Sequence, residues 1–572
     1  MNSKNKLYLS FIIVILLVLS INSKSNAMEI EKSEISAKYQ EWLNLSEEEK
    51  KNTIAPLAFN VRSKINNDNK NRSILTSTSI PERYDLREHI DIEIKNQMST
   101  GMCWAFSANS ALETYLGLKG KTYNFSERHI EYETANNLIG GENKMALNRE
   151  IGNGGYGSTA FTYYSRGSGP ILEEDMPFEN NEKPINIKEL PTNVAIQKVD
   201  DMIYFPNVYK EIINGELIYE DGNKEKYSQT EIANIRKEIK EHIMEYGGIS
   251  SAVLAPTNLD YYNKKTAAFN YVDYNGFADH AVTIIGWDDT FSRENFNNRP
   301  EKDGAYIVLN SYGKNFGENG VYYVSYEDCL IESQLRGVTK VSDINYDEIY
   351  QHDISEMWGQ IKGKYAANRF TAKSDEKLIQ IMIGSLSEQR CNVYINKNEN
   401  ELNINNMNKI AQDVKLNAGY TTIQLQEYIN LTQGDTFTIV VELIGSDYTG
   451  IGVEDNNAYF GKVTSNLGES FISNNGYNWE DIYDEKDMMN FSIKAFTQKE
   501  EPYIEVEDIQ EKIIGGTEDK LYFNINTSYL EQGNTVNIDI YNNQGTNITS
   551  KFNIVRKQNK GKGNVFKYNL SY

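Results

Sequence analysis

Cys103 stands in the run Gln97-Met98-Ser99-Thr100-Gly101-Met102-Cys103-Trp104-Ala105-Phe106. It precedes a helical pattern in which Ala105, Ala108, Leu112, Tyr115 and Leu116 share one face. A thiol at a helix amino terminus meets free N–H groups and the positive end of the helix dipole, which favour thiolate. Gln97 supplies a side-chain N–H that, with the Cys103 backbone N–H, would hold an oxyanion. A lone cysteine is most often only a buried core residue, so the nucleophile needs partners before it means anything.

The chain has five histidines, few enough to consider in turn. His89, His129, His242 and His352 sit in charged, polar-flanked or linking stretches and are expected at the surface. His280 differs: it opens the apolar run Ala281-Val282-Thr283-Ile284-Ile285-Gly286-Trp287, which has the composition of a buried strand. An imidazole at a strand end is held rigidly, as a general base must be. The next such strand, Ala305-Tyr306-Ile307-Val308-Leu309, delivers Asn310, whose amide oxygen could accept from the imidazole and fix its tautomer.

Several units must carry these residues, because 572 residues at about 150 per domain imply three or four. Residues Met1 to Ala27 combine Lys4 and Lys6, an apolar run from Leu7 to Ile21 and a small-residue exit, the build of a secretory signal peptide. That run is shorter than the ~20 residues a spanning helix needs. From Met28 to about residue 79 a charged, helix-prone lead-in passes into a polar linker. Residues 80–341 read as helical first and strand-rich second, with a capping box at Ser228 and Glu231 ahead of an amphipathic helix. Residues 346–497 show short alternating strands and read as a β-sandwich; residues 502–572 read as a small β domain, with strands near 521–525 and 536–541.

A formal charge of −23, from 58 basic and 81 acidic residues, argues against nucleic acid and anionic membrane surfaces as partners. Three cysteines (Cys103, Cys329, Cys391) cannot build a disulfide scaffold and leave at least one thiol free or paired with another molecule. An exported chain nearly free of cysteine and rich in Asn, Lys, Ile and Tyr suggests a low-GC Gram-positive bacterium.

Gln97, Cys103-Trp104-Ala105-Phe106, His280 and Asn310-Ser311-Tyr312-Gly313 together resemble the papain family of cysteine peptidases. Phe125-Ser126-Glu127, Gly152-Asn153-Gly154-Gly155 and Gly317 to Tyr323 resemble further landmarks of that family. The resemblance implies an α+β papain-like catalytic domain with a helical left half and a β-barrel-like right half. It makes Cys103 the nucleophile, His280 the base, Asn310 its orienter and Gln97 an oxyanion donor. Gly154 and Gly155 would pair with an extended peptide, and Tyr156, Gly157, Ala252 and Ala281 would line the main specificity pocket. Residues 28–79 would be a propeptide over the cleft. Residues 346–497 resemble the lectin-like domain that follows the papain-like domain in surface-associated clostridial peptidases, on Tyr365 to Ala372, Asn417 to Thr422, Gly468 to Ser473 and Ile493 to Thr497; residues 502–572 would be Ig-like. No cofactor is implied beyond a structural calcium that the lectin-like resemblance allows, although no EF-hand loop is present.

Three positions depart from the family pattern. Thr100 and Gly152 stand where a disulfide would join two loops, Tyr312 stands for the usual Trp beside the catalytic Asn, and about 29 residues separate His280 from Asn310, with residues 292–302 as a surface insertion. The expectation is a secreted, zymogenic cysteine endopeptidase acting on protein or peptide substrates outside the cell or at its surface, with a cell-surface polymer or protein as a partner for the lectin-like domain. Two alternatives stay open: a catalytically silent surface-binding protein on the same scaffold, and an acyl transferase in which an amine replaces water.

Overall fold

The computed structural model describes residues 31–61 and 79–499, except 193–194, 215, 399–400 and 446–447, and beyond them residues 503–507, 520–528, 546, 553–559 and 564–571. The signal-like segment, the linker after residue 61 and the strand expected at 536–541 lie outside the described residues.

The catalytic half is built on the helix Cys103–Leu118, with the helices Glu127–Glu133 and Gly157–Ser165 beside it. Its burial departs from the one-sided pattern, since Ser107, Asn109, Ser110 and Thr114 are buried along with the apolar face. The helix is covered on several sides: it packs against Gly157–Ser165 and the strand His280–Asp288, and Ser107 Oγ reaches Ser250 Oγ (2.7 Å) and the Val282 carbonyl (2.6 Å). The helix Gln229–Tyr246 forms where its spacing predicts, with both bonds of the Ser228/Glu231 capping box made and Ile232, Ile235, Ile239 and Ile243 buried. It stops at Gly247, whose φ of +95° suits glycine.

The strand-rich half continues into the next unit through one sheet. Twelve of its thirteen strands are hydrogen-bonded in series, with Arg83–Asp85 pairing onto His280–Asp288 off that path, and the joint is the antiparallel pairing of Gly419 with Ile203 and Tyr420 with Met202. Thr422 N–H and Oγ1 fasten it to Asp201 Oδ1 (2.7 Å) and the Asp200 carbonyl (2.6 Å).

Residues 346–497 form a two-layer β structure. One layer contains the strands Glu376–Ser385, Gly419–Leu431 and Ile493–Lys499; the other contains Tyr365–Thr371, Gln389–Lys397 and Thr436–Ile444. Leu378, Ile381, Ile383 and Ile493 meet Val393, Ile395, Phe437, Ile439 and Val441 in its core. Period-2 alternation explains Phe437, Ile439 and Val441 facing this core. Val440, on the opposite face, is buried in a second small cluster with Tyr365 and Ala367. Beyond residue 502, four strands pair antiparallel.

Residues 31–61 lie across both units. Glu31 and Lys32 pair with Lys362 and Ile361 as an edge strand of the second unit. Helices Ala37–Leu43, capped by Ser36, and Glu47–Lys51, with a full capping box from Ser46 and Glu49, follow.

Candidate active site

The helix that starts at Cys103 has no side-chain cap and no acidic residue in its first turn, so no carboxylate competes with the sulfur there. The helix that Cys103 opens packs against the strand His280–Asp288, and the Ala281 N–H favours the thiolate, as do the N–H groups of Trp104 and Cys103. His280 opens that strand and is paired with Val253. Asn310 follows the neighbouring strand Ala305–Leu309, and its Oδ1 lies 2.8 Å from His280 Nε2. Since an amide oxygen only accepts, Nε2 carries the proton and Nδ1 keeps its lone pair for the thiol. Asn310 Oδ1 also accepts from the Ser311 N–H at 2.8 Å, which fixes the amide's orientation. Tyr312 stacks on His280, with centroids 4.8 Å apart and planes at 29°, and so shields the imidazole where the family uses Trp. The longer connection between His280 and Asn310 runs out through the short turn Arg293–Asn295 and leaves their hydrogen bond intact.

Burial controls the charge state of this pair. The Cys103 thiol is pushed up to about 11 by burial, against which the Ala281 N–H acts downward. The direction is opposite to what a helix terminus alone gives, because Cys103 is buried, only 8% exposed. Burial likewise lowers His280 to about 4, with Asn310 acting the other way. In this buried state both groups are neutral at pH 7.

Gln97 is held by the loop that carries Asn310. Its backbone N–H donates to the Ser311 carbonyl at 2.8 Å, and its Oε1 accepts from the Ser311 hydroxyl. One N–H of its Nε2 donates to the Thr100 carbonyl at 2.7 Å; an amide nitrogen has a second donor for an oxyanion. The part played by Ser311 was not singled out from sequence, although it lies within the quoted Asn310 to Gly313 motif.

The glycine-rich loop is braced from beneath. The fully buried Arg149 donates from Nε to the Gly154 carbonyl at 2.9 Å, and its guanidinium lies 5.0 Å from the Trp104 ring centroid. A Cβ on Gly155 would come within 2.4 Å of that ring, so no larger residue fits. Where the family places a disulfide, Glu182 Oε1 accepts from the Gly101 N–H at 2.8 Å while its Cβ lies beside Gly152. All three cysteines are free.

Residues 31–61 pack beside the site. The Ile54 N–H donates to the Ala278 carbonyl at 2.6 Å, two residues before His280. Residues 55–59 share a pocket with Tyr156, Ser158, Tyr204, Arg336, Glu356, Met357 and Trp358. Of the residues expected at the specificity pocket, Tyr156 lines this one. Gly157 lies beneath the Arg336 guanidinium, whereas Ala252 and Ala281 face each other across paired strands.

Two histidine expectations are corrected. His129 is fully buried, with Nδ1 2.7 Å from the Tyr163 hydroxyl and Nε2 2.8 Å from the Pro191 carbonyl. His242 is buried at 5% exposure, packed edge-on to Phe205; a Cβ on Gly337 would meet its ring, so that glycine makes its space. His89 is exposed and His352 half-buried. Among the described residues no group of three His, Cys, Asp or Glu side chains converges to hold a metal.

Comparison with known proteins agrees with this geometry. Residues 80–339 match the papain family cysteine proteases, and residues 349–497 match the lectin like domain. The fold and site thus define a papain-family cysteine protease domain, and this chain carries one, followed by a lectin-like domain. Cysteine proteinase 1 of Zea mays is 26% identical over 282 residues, 47% of this chain and 64% of its own length. Cathepsin S of Mus musculus is 24% identical over 247 residues, 43% of this chain and 58% of its own length. The chain therefore spans less than two thirds of these curated relatives. The crystal structure of the cysteine protease and lectin-like domains of Cwp84, a surface layer associated protein of Clostridium difficile, superposes with a TM-score of 0.65 at 26% identity, covering 82% of this chain and 98% of that one. Cwp84 after propeptide cleavage gives 0.60 at 27% identity, covering 73% and 99%.

Proposed function

We propose that this protein is a secreted cysteine endopeptidase, made as an inactive precursor, that hydrolyses peptide bonds of extracellular or cell-surface proteins. The observation that carries the reading is the 2.8 Å bond from Asn310 to His280 at the end of the strand against which the helix opened by Cys103 packs. It leaves one imidazole nitrogen free to take the thiol proton. Uncovering the cleft readmits water, which removes the burial that holds both groups neutral and lets the thiolate and imidazolium pair form. The sulfur attacks a peptide carbonyl carbon, and the oxyanion is received by the Cys103 N–H and the free N–H of Gln97. The imidazolium protonates the leaving amine. Neutral His280 then takes a proton from water, whose oxygen displaces the thioester and regenerates the thiol, with Asn310 holding the ring throughout.

Residues 31–61 are the inhibitory segment in this reading, because Trp42 packs on Tyr156 and residues 55–59 line the pocket beside it. The signal-like amino terminus and the resemblance to a surface layer associated protein support action outside the cell. The test is intact-mass labelling with an epoxide inhibitor of papain-like enzymes. The full chain should label slowly and the chain freed of residues 31–61 stoichiometrically, with none in Cys103→Ala. No labelling of either form, while iodoacetamide still alkylates Cys103, would sink the peptidase reading in favour of the silent surface-binding protein.

A further inference from the structure

The segment 31–61 touches the lectin-like unit as well as the catalytic one, and its central contact is aromatic. Trp42, fully buried, stands edge-on to Tyr156 of the catalytic unit (centroids 6.2 Å, 89°) and to Tyr459 of the lectin-like unit (4.9 Å, 86°). Tyr156 also packs on Phe460 at 4.7 Å. The Asn148 N–H donates to the Phe460 carbonyl at 2.9 Å, fastening this loop of the second unit to the chain just ahead of the glycine-rich loop. Trp358, from the same unit, faces Tyr39 edge-on at 6.2 Å. Once residues 31–61 leave, Trp42 vacates a slot whose two walls, Tyr156 and Tyr459, come from different units, with Tyr156 next in the chain to Gly155 of the glycine-rich loop.

We propose that this slot is a substrate subsite shared by the two units, that it takes an aromatic side chain of an extended protein segment, and that Tyr459 is a specificity-determining residue. The proposal rests on the peptidase reading. Its chemistry follows from the occupant: a ring between two edge-on rings gains electrostatic and packing energy that an aliphatic side chain of equal reach does not. The catalytic unit supplies only the Tyr156 wall, so selection for an aromatic residue depends on the lectin-like unit staying docked through the Gly419 and Tyr420 pairing.

Two measurements test it. In the activated enzyme, with sites counted by epoxide titration of Cys103, Phe or Trp is scanned through the positions upstream of a reporter amide. One position should favour the aromatic over Ala by about tenfold in kcat/KM. Tyr459→Ala should reduce that ratio below about threefold, and Tyr459→Phe should keep it. A ratio unchanged in Tyr459→Ala overturns the proposal. In the full-length precursor, Trp42→Ala and Tyr459→Ala should each speed epoxide labelling of Cys103 by about tenfold, and the double variant by clearly less than the product of the two, since the Trp42 to Tyr459 contact is lost in both. Fully multiplicative effects overturn it too. Absence of labelling in every form would sink the peptidase reading, and the subsite with it.

Discussion

The Ser311 hydroxyl donates to the Gln97 amide oxygen, so the residue that follows Asn310, the hydrogen-bond partner of His280, also orients the Gln97 amide. The proposed base and the proposed oxyanion donor are thereby set by one loop. Ser311→Ala frees the Gln97 amide to rotate; kcat of the activated enzyme should fall about tenfold, with KM little changed. Gln97→Ala, which deletes the donor, should cost about 10²- to 10³-fold. Equal losses from both would mean that Ser311 acts otherwise than through Gln97.

Tyr312 covers the imidazole with a smaller ring than the family's Trp. Tyr312→Ala should admit water to the His280 and Asn310 bond and lower kcat about tenfold, whereas Tyr312→Trp should hold or raise it. Steady-state kinetics on one peptide substrate decides between them.

Burial pushes the Cys103 thiol up to about 11 and His280 down to about 4. Alkylation of the precursor by iodoacetamide should therefore stay slow at neutral pH and climb only on the alkaline side. After removal of residues 31–61, the thiolate and imidazolium pair should make alkylation fast at pH 6 to 7. Identical pH profiles for the two forms would contradict this account.

Lys32 ties the start of the segment 31–61 to Asp455 at 3.0 Å and to Asp487, beside its strand pairing with Ile361. A part-exposed ion pair of this kind contributes up to ~1 kcal/mol. Lys32→Ala should accelerate loss of the segment severalfold at low salt, with the difference shrinking as salt screens the pair in wild type. Precursor processing followed over a salt series measures it.

Burial lowers His129 to about 4 and His242 to about 3, with His280 also near 4. The unfolded imidazoles titrate near 6.5, so they bind protons before the folded ones do. Their contribution to stability is complete above about pH 6.5 and is lost as pH falls toward 4. His242→Leu should reduce proton uptake on unfolding by about one across that window, read from denaturant unfolding at several pH values. An unchanged pH slope would show that His242 titrates normally.

The placement of the three residues was legible because it depends on residue types at element ends: a cysteine opening a helix, a histidine opening a strand, an asparagine closing the next. The buried run after His280 declared its strand by composition alone. His129 and His242 were misread because their neighbours in sequence are polar while their partners, Tyr163, Pro191, Phe205 and Gly337, come from elsewhere in the chain. Tyr459 and the pairing of Gly419 with Ile203 left no trace in the sequence, since a half-buried aromatic in a loop and a backbone ladder carry no local signature.

Glu182 bridges two loops without sulfur, accepting from the Gly101 N–H of one and packing its Cβ beside Gly152 of the other, and all three cysteines of the chain are free. Nothing in the scaffold is open to reduction. Thiol reductants at any strength that keeps Cys103 free of sulfenic acid leave the fold covalently untouched, so the conditions that preserve the nucleophile and those that preserve the architecture never conflict.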